Sequence, residues 1–153
     1  MQLTSRPDWM ATLAKAPLPL LEARMTTLGT WPDYGFLRSP EIGLAMVRGR
    51  TEGTGEPFNL GEMTVTRCVV QLAGPEGEAI SGFGYVAGRS QRHGELAALC
   101  DALLQHSDWQ AAVQAQVIEP LQAAAAAARA AEAAQVESTR VNFFTMLRGE
   151  SGS

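Results

Sequence analysis

Positions 42 to 73 read IGLAMVRGRTEGTGEPFNLGEMTVTRCVVQL, a stretch in which arginines, glycines and hydroxyls interrupt otherwise apolar, strand-like runs. Arg48 and Arg50 flank Gly49, so two-residue alternation puts both guanidinium groups on one side of an extended chain. Together with Arg67 they would form a fork that grips phosphate oxygens in pairs, a geometry guanidinium favours over ammonium. Gly53-x-Gly55 offers a backbone free to approach a ligand or a partner, and Glu62 and Thr64 add an acceptor and a hydroxyl. The same residues have a plainer use. Glu52, Glu56 and Glu62 lie nearby in sequence to pair with the arginines, and glycines shape tight loops between strands. Gly53-x-Gly55 is neither a GxxxxGK loop followed by Ser or Thr nor a GxGxxG entering a helix.

His93 stands among Arg89, Arg92 and Glu95 and is a candidate for proton transfer, which would need an orienting partner and a reachable proton. Placed in the first turn of a helix, it serves equally as a local hydrogen-bonding group. His106 falls near a helix C-terminus, where the dipole favours positive charge. Two histidines, two cysteines and no HExxH make a self-contained zinc site an unfavoured reading, and GxSxG is missing from the sequence. Cys68 in a strand-like run and Cys100 in a helix-like run form neither a CxxC pair nor a disulfide framework, so each reads as a buried small hydrophobe.

The elements that must position these groups follow from periodicity. Ser5, Pro7 and Asp8 mark a helix start, with Trp9, Met10 and Leu13 at helical spacing. Ala16-Pro17 interrupts it; Leu18, Leu21, Met25 and Leu28 make a second stripe that Gly29 can cap in the left-handed region. Trp31-Pro32-Asp33 reads as a turn. Four strands are expected: Tyr34 to Arg38, Ile42 to Arg50, Glu62 to Leu72 and Ala79 to Ala87, with Pro57 barring continuation of a ladder and Pro75-Glu76-Gly77-Glu78 as the clearest hairpin turn. Connections this short exclude parallel crossovers, leaving an antiparallel meander. Ser90 caps a helix whose Leu96, Leu99, Cys100, Leu103 and Leu104 face inward and whose Glu95 and Asp101 face outward. Ser107-Asp108 restarts a helix through Val113 and Val117, which Glu119-Pro120 limits.

Ala123 to Ala134 favour a helix with almost no large side chain to bury. Beyond it, Val141-Asn142-Phe143-Phe144-Thr145-Met146-Leu147 concentrates apolar bulk at the end of an arm of about 20 residues, roughly 30 Å if helical. Phe143, Phe144, Met146 and Leu147 are therefore expected to contact another subunit. The fold class is α+β: residues 1–120 form a core with a sheet of about four strands, 121–150 an alanine-rich arm with an apolar anchor, and 151–153 a linker or cloning remnant.

Composition adds bounds. The 153 residues suit one core; a net charge of −4 gives no basic field for nucleic acid. No apolar run approaches the roughly 20 residues of a membrane helix, and no signal-peptide core is read at the N-terminus, so the cytoplasm is expected.

Three blocks in order, RGRTEGTGEPFNLGEMTVTRCVV, GYVAGRSQRHGELAALCDALLQ and VNFFTMLRGE, resemble the PhnG subunit family of the bacterial carbon-phosphorus lyase system, over about Trp9 to Glu150. That resemblance implies a subunit of a core complex with PhnH, PhnI and PhnJ, joined by a PhnL-like partner. The complex exchanges the adenine of MgATP for a phosphonate at the ribose anomeric carbon, giving a ribose 1-phosphonate 5-triphosphate. MgATP is thus a substrate of the assembly, and no cofactor is expected on this chain alone. The competing reading is a homo-oligomeric domain that binds a small anion through its Gly/Arg loop.

Overall fold

A computed structural model describes residues 4–50 and 57–151, with side chains described for 4–47 and 61–137. The order is α1 (Arg6–Lys15), α2 (Leu18–Thr27), β1 (Tyr34–Arg50), β2 (Pro57–Ala73), β3 (Ala79–Ala87), α3 (Gln91–Leu104), α4 (Gln110–Val113), a π-helical turn Gln114–Ile118 and α5 (Glu119–Ser151). The strands form one antiparallel sheet in the order β1-β2-β3. The chain divides into two compact units, Met1–Leu121 and Gln122–Ser153.

Local signals account for most boundaries. Pro7 sits in the first turn of α1, and Ser5 Oγ donates to Asp8 Oδ2 at 2.8 Å across that turn. Ala16 takes extended angles before Pro17 and separates α1 from α2. Gly29 closes α2 at φ 78°, a conformation costly for a side chain with Cβ. Gly77 at φ 83° shapes the β2–β3 hairpin, where Gly74 N–H donates to the Glu78 carbonyl. The Ser90 hydroxyl accepts from His93 N–H and caps α3.

Several sequence expectations are corrected. Tyr34 to Arg38 and Ile42 to Arg50 belong to one strand, giving three strands instead of about four. Irregularities between Phe36 and Arg38 and between Arg38 and Glu41 absorb Pro40, which an edge strand tolerates because its missing N–H costs no ladder bond there. Pro57 does not bar the ladder: it opens β2 opposite Arg50. Nor does Glu119-Pro120 end the helical path. The π-helical turn directly before it loosens the bonding pattern that proline would otherwise break, and α5 continues with Pro120 as its second residue.

The core lies in the first unit, on one face of the sheet. Cys68, Val70 and Leu72 of β2, with Ile80 and Val86 of β3, meet Leu96, Leu99, Leu103 and Leu104 of α3 and Leu13, Leu21 and Met25 of α1 and α2. A fully buried leucine contributes about 1.5–3 kcal/mol, so α3 is the main clamp. In the second unit the described side chains, up to Glu137, are almost all exposed alanines and polar residues.

Candidate functional site

The backed face of the sheet explains the middle block of the sequence. On β3 the inward positions are Ile80, Gly82, Gly84 and Val86, with the two glycines in the middle. A Cβ on Gly82 would run into the Ala98 carbonyl oxygen and the Ala102 backbone nitrogen; one on Gly84 would meet the Gly94 carbonyl oxygen. Gly94 in turn leaves room for Thr66, whose Cγ2 would lie 3.0 Å from a Cβ there. The backbone of α3 therefore rests on the backbone of β3. In the middle of β3 glycines point inward, and the aromatic residues, Phe83 and Tyr85, are turned outward.

Asp101 was expected to face solvent, and the structure overturns that. Its side chain is fully buried. Arg6 Nε and Nη2 donate to its two oxygens at 3.1 and 2.8 Å, Trp9 Nε1–H donates at 2.8 Å and Phe83 N–H at 2.9 Å. Gln105 Nε2 stands farther off, 3.4 Å from Oδ2, and a carboxylate is the one small side chain with enough lone pairs for so many donors. The pairing holds the Arg6 guanidinium pKa above its ordinary value, chiefly through the hydrogen bond to Asp101. Arg6 also lies over the Phe83 ring, 5.6 Å from its centroid. Glu95 does not face outward freely either: Tyr34 OH donates to its Oε1 at 2.6 Å, and Arg92 stands 3.6 Å from Oε2. Desolvation first, then the bond to Glu95, push the Tyr34 phenol up to about 12.

The residues with possible acid-base or nucleophilic roles are occupied structurally. His93 Nε2 lies 2.8 Å from the Leu13 carbonyl oxygen, so Nε2 carries the proton and ties α3 to α1. His106 Nδ1 accepts from Asp108 N–H at 3.1 Å in the turn after α3. Both cysteines are buried. Burial pushes the Cys68 thiol up to about 11 and raises Cys100 further, which suppresses the thiolate. Among the described residues no three metal-ligating side chains come together.

The opposite face of the sheet carries the exposed chemistry. Arg67 Nη2 lies 3.6 Å from Glu41 Oε1, and Arg38 Nη1 lies 3.1 Å from the same oxygen. Arg67 is thus ion-paired with Glu41 across the strand pair; of the acidic residues close in sequence, Glu52 and Glu56 lie outside the described residues. Phe83 and Tyr85, 46% and 51% exposed, stand on the same face. Past the end of β3 at Ala87, β1 and β2 continue as a two-stranded ribbon, where Leu44 pairs with Thr64 and Met46 with Glu62. Leu44 and Met46 are 67% and 54% exposed there, and Ile42, opposite Thr66 just inside the three-stranded part, is 42% exposed.

Of the sequence-predicted site residues, Glu62 and Thr64 share one face of this ribbon. Arg67 is on the opposite face of β2, and Arg89 is exposed in the turn before α3. His93 is on the buried side of α3, against Leu13 of α1. Arg48 and Arg50 occupy ladder positions opposite Asn59 and Pro57, but their side chains lie outside the described residues. Gly53 and Gly55 lie wholly outside them, and so do the side chains of Phe143, Phe144, Met146 and Leu147. Sequence reasoning passed over Glu41, Phe83 and Tyr85. The signal was GFGY in β3, where glycine alternates with aromatic residues and one face must therefore be nearly bare.

The profile of phosphonate metabolism protein PhnG matches residues 4–149. The chain belongs to the PhnG family. A curated PhnG relative from Rhizobium meliloti (strain 1021), alpha-D-ribose 1-methylphosphonate 5-triphosphate synthase subunit PhnG, is 40% identical over 148 residues. The alignment covers 97% of this chain and 92% of the relative. Within this PhnG chain, the sequence block GYVAGRSQRHGELAALCDALLQ is spent largely on packing α3 against β3, while exposed apolar and charged groups collect on the bare sheet face and the ribbon. No described helix is long and apolar enough to cross a membrane.

Proposed function

We propose that this chain is a non-autonomous subunit of a ribose 1-phosphonate 5-triphosphate synthase complex in phosphonate catabolism. It would work beside PhnH, PhnI, PhnJ and a PhnL-like protein in the cytoplasm, in the transfer of a phosphonate to the ribose anomeric carbon of MgATP with release of adenine. The observation that carries this reading is the near full-length match to a relative named as a subunit of such a synthase. The geometry supports it: His93, His106, Asp101 and both cysteines are committed to the fold, and the available groups lie on broad exposed surfaces. The chain's role in this reading is to build and complete the assembly through the ribbon from Arg48 to Arg67 and through the C-terminal arm. Pairing of Arg67 with Glu41 weighs against a free anion fork in an autonomous binding domain.

The test is co-expression with the four partner proteins and assay of adenine release from MgATP and methylphosphonate. The complete set releases adenine, omission of this chain abolishes release, and the purified chain alone releases none. Activity of the chain alone, or an unaffected complex lacking it, overturns the proposal. For the arm, truncation after Gln135 removes Phe143, Phe144, Met146 and Leu147, each phenylalanine supplying roughly 1.5–3 kcal/mol if fully buried in a partner. Co-purification is then lost while the thermal transition of residues before 120 persists. Normal assembly of the truncated chain, or loss of its transition, removes the arm from the interface.

A further inference from the structure

The two outer edges of the sheet are treated differently. At β3, the outward N–H of Phe83 is taken by Asp101, and the Ser81 carbonyl accepts from Gln105 Nε2 at 2.9 Å. Side chains of α3 and of the residue that caps its C-terminus thus occupy hydrogen-bonding groups that a further strand would need. At β1 the relevant positions follow from the ladder. The Thr64 carbonyl accepts from Gly88 N–H at 2.8 Å and so points away from β1. Its partner Leu44 therefore belongs to a pair that exchanges no ladder bonds, and directs its own N–H and C=O outward. Alternation without irregularity from Glu41 to Val47 makes Ile42 and Met46 point outward in the same way.

Among the described residues nothing hydrogen-bonds these outward groups; the contact to this edge is Gln91 Nε2 on the Pro40 carbonyl, at 3.4 Å, before the regular stretch begins. The same three residues carry exposed apolar side chains on one face of β1. Main-chain donors and acceptors alternating with apolar side chains at every second residue are the complement of one occupant: an extended strand with apolar residues on the matching face. A two-stranded ribbon is also marginal in water without a third strand or a covering element.

We propose that β1, at Ile42, Leu44 and Met46, accepts an extended strand from another subunit of the synthase assembly, enlarging the sheet by β-augmentation. This rests on the reading of the chain as a subunit. A second copy is the less fitting occupant. It brings only its own short regular stretch, Glu41–Val47, bounded by the same bulges, whereas a strand from a different subunit carries no such limit.

The experiment uses the full chain co-expressed with the partner subunits. Leu44→Pro deletes one outward N–H and no ladder bond, the one substitution of its kind an edge strand accepts. The double variant Ile42→Ser with Met46→Ser strips the apolar face and keeps every backbone group. Each is expected to keep the thermal transition of the isolated chain and to lower recovery of the partners roughly tenfold or more. If Leu44→Pro loses its own transition, the serine variant decides alone. Recovery at the wild-type level from a folded variant overturns the proposal. So does a wild-type homodimer on size exclusion that Leu44→Pro converts to monomer, since the occupant is then a second copy. Should the wild-type chain recover no partners, the subunit reading itself has failed, a result distinct from a variant that assembles normally.

Discussion

The β1–β2 hairpin passes through two environments, and the contrast separates what folds this chain from what the chain offers to others. In one half, Cys68, Val70 and Leu72 lie beneath α3 with almost no exposure, and β3 completes the ladder. In the other half, from the end of β3 onward, the same two strands continue with no third strand among the described residues; Leu44 and Met46 there, and Ile42 just inside that end, are open to solvent. Apolar residues sit in both halves, so hydrophobicity alone does not mark the core. The deciding factor is whether a glycine-lined neighbour comes close enough to cover them.

If the helix-backed half carries stability, Gly84→Leu has the largest effect of any substitution here. It drives a side chain into the Gly94 carbonyl and the Ala98 amide of α3, and it should cost about 3 kcal/mol or more, read as loss or a steep fall of the thermal transition. Asp101→Ala is next. It leaves Trp9 Nε1–H and Phe83 N–H without an acceptor and Arg6 without its partner, for about 3 kcal/mol by denaturant titration. Asp101→Asn restores some acceptors and should cost less.

Tyr34→Phe removes the bond to Glu95 at a cost of about 1 kcal/mol near neutral pH, and it also changes the alkaline limb. The folded protein holds the Tyr34 proton more tightly than the unfolded chain does, with the pKa raised from 10.0 to about 12. Its stabilisation is complete below about pH 10 and is lost as pH rises toward 12. Cys68, raised from 9.0 to about 11, behaves likewise over a window one unit lower. Stability of the wild type should therefore fall from about pH 9 upward, and the variant should lose the upper part of that fall. An identical alkaline limb in both proteins removes Tyr34 from the account. Leu44→Ser has the smallest effect on folding, within about 0.5 kcal/mol, because its side chain is mostly exposed. Its effect on partner recovery should nevertheless be plain, and a large stability loss would erase the distinction between the halves.

Much of this was legible in the sequence. Leu96, Leu99, Cys100, Leu103 and Leu104 were readable as the inward stripe of α3 because helical spacing is local. The cap at Ser90, the left-handed Gly29 and the break at Ala16-Pro17 follow from single-residue chemistry. Asp101 was misplaced because its partners Arg6, Trp9 and Phe83 are distant in the chain, and a charge on an amphipathic helix reads as solvent-facing until a tertiary contact supplies donors. The fusion of two expected strands into β1 escaped for a related reason. Pro40 signals a break in isolation, and it is harmless because no further described strand pairs with β1 on that edge. Arg67 was recognised as an ion-pairing candidate, but Glu41, which pairs with it from across the ladder, was not foreseen because its closeness depends on the strand register.

Amide hydrogen exchange, read residue by residue in the free chain and in the assembled complex, tests the division of the hairpin most directly. Amides of β2 under α3, at Cys68 and Val70, should be slow in both states. Those of Ile42, Leu44 and Met46 should exchange freely in the isolated chain and slow by roughly tenfold or more on assembly, as a third strand pairs with them. Outward β1 amides that exchange equally fast in the free and assembled chain, or that are already protected when the chain is alone, would contradict the account.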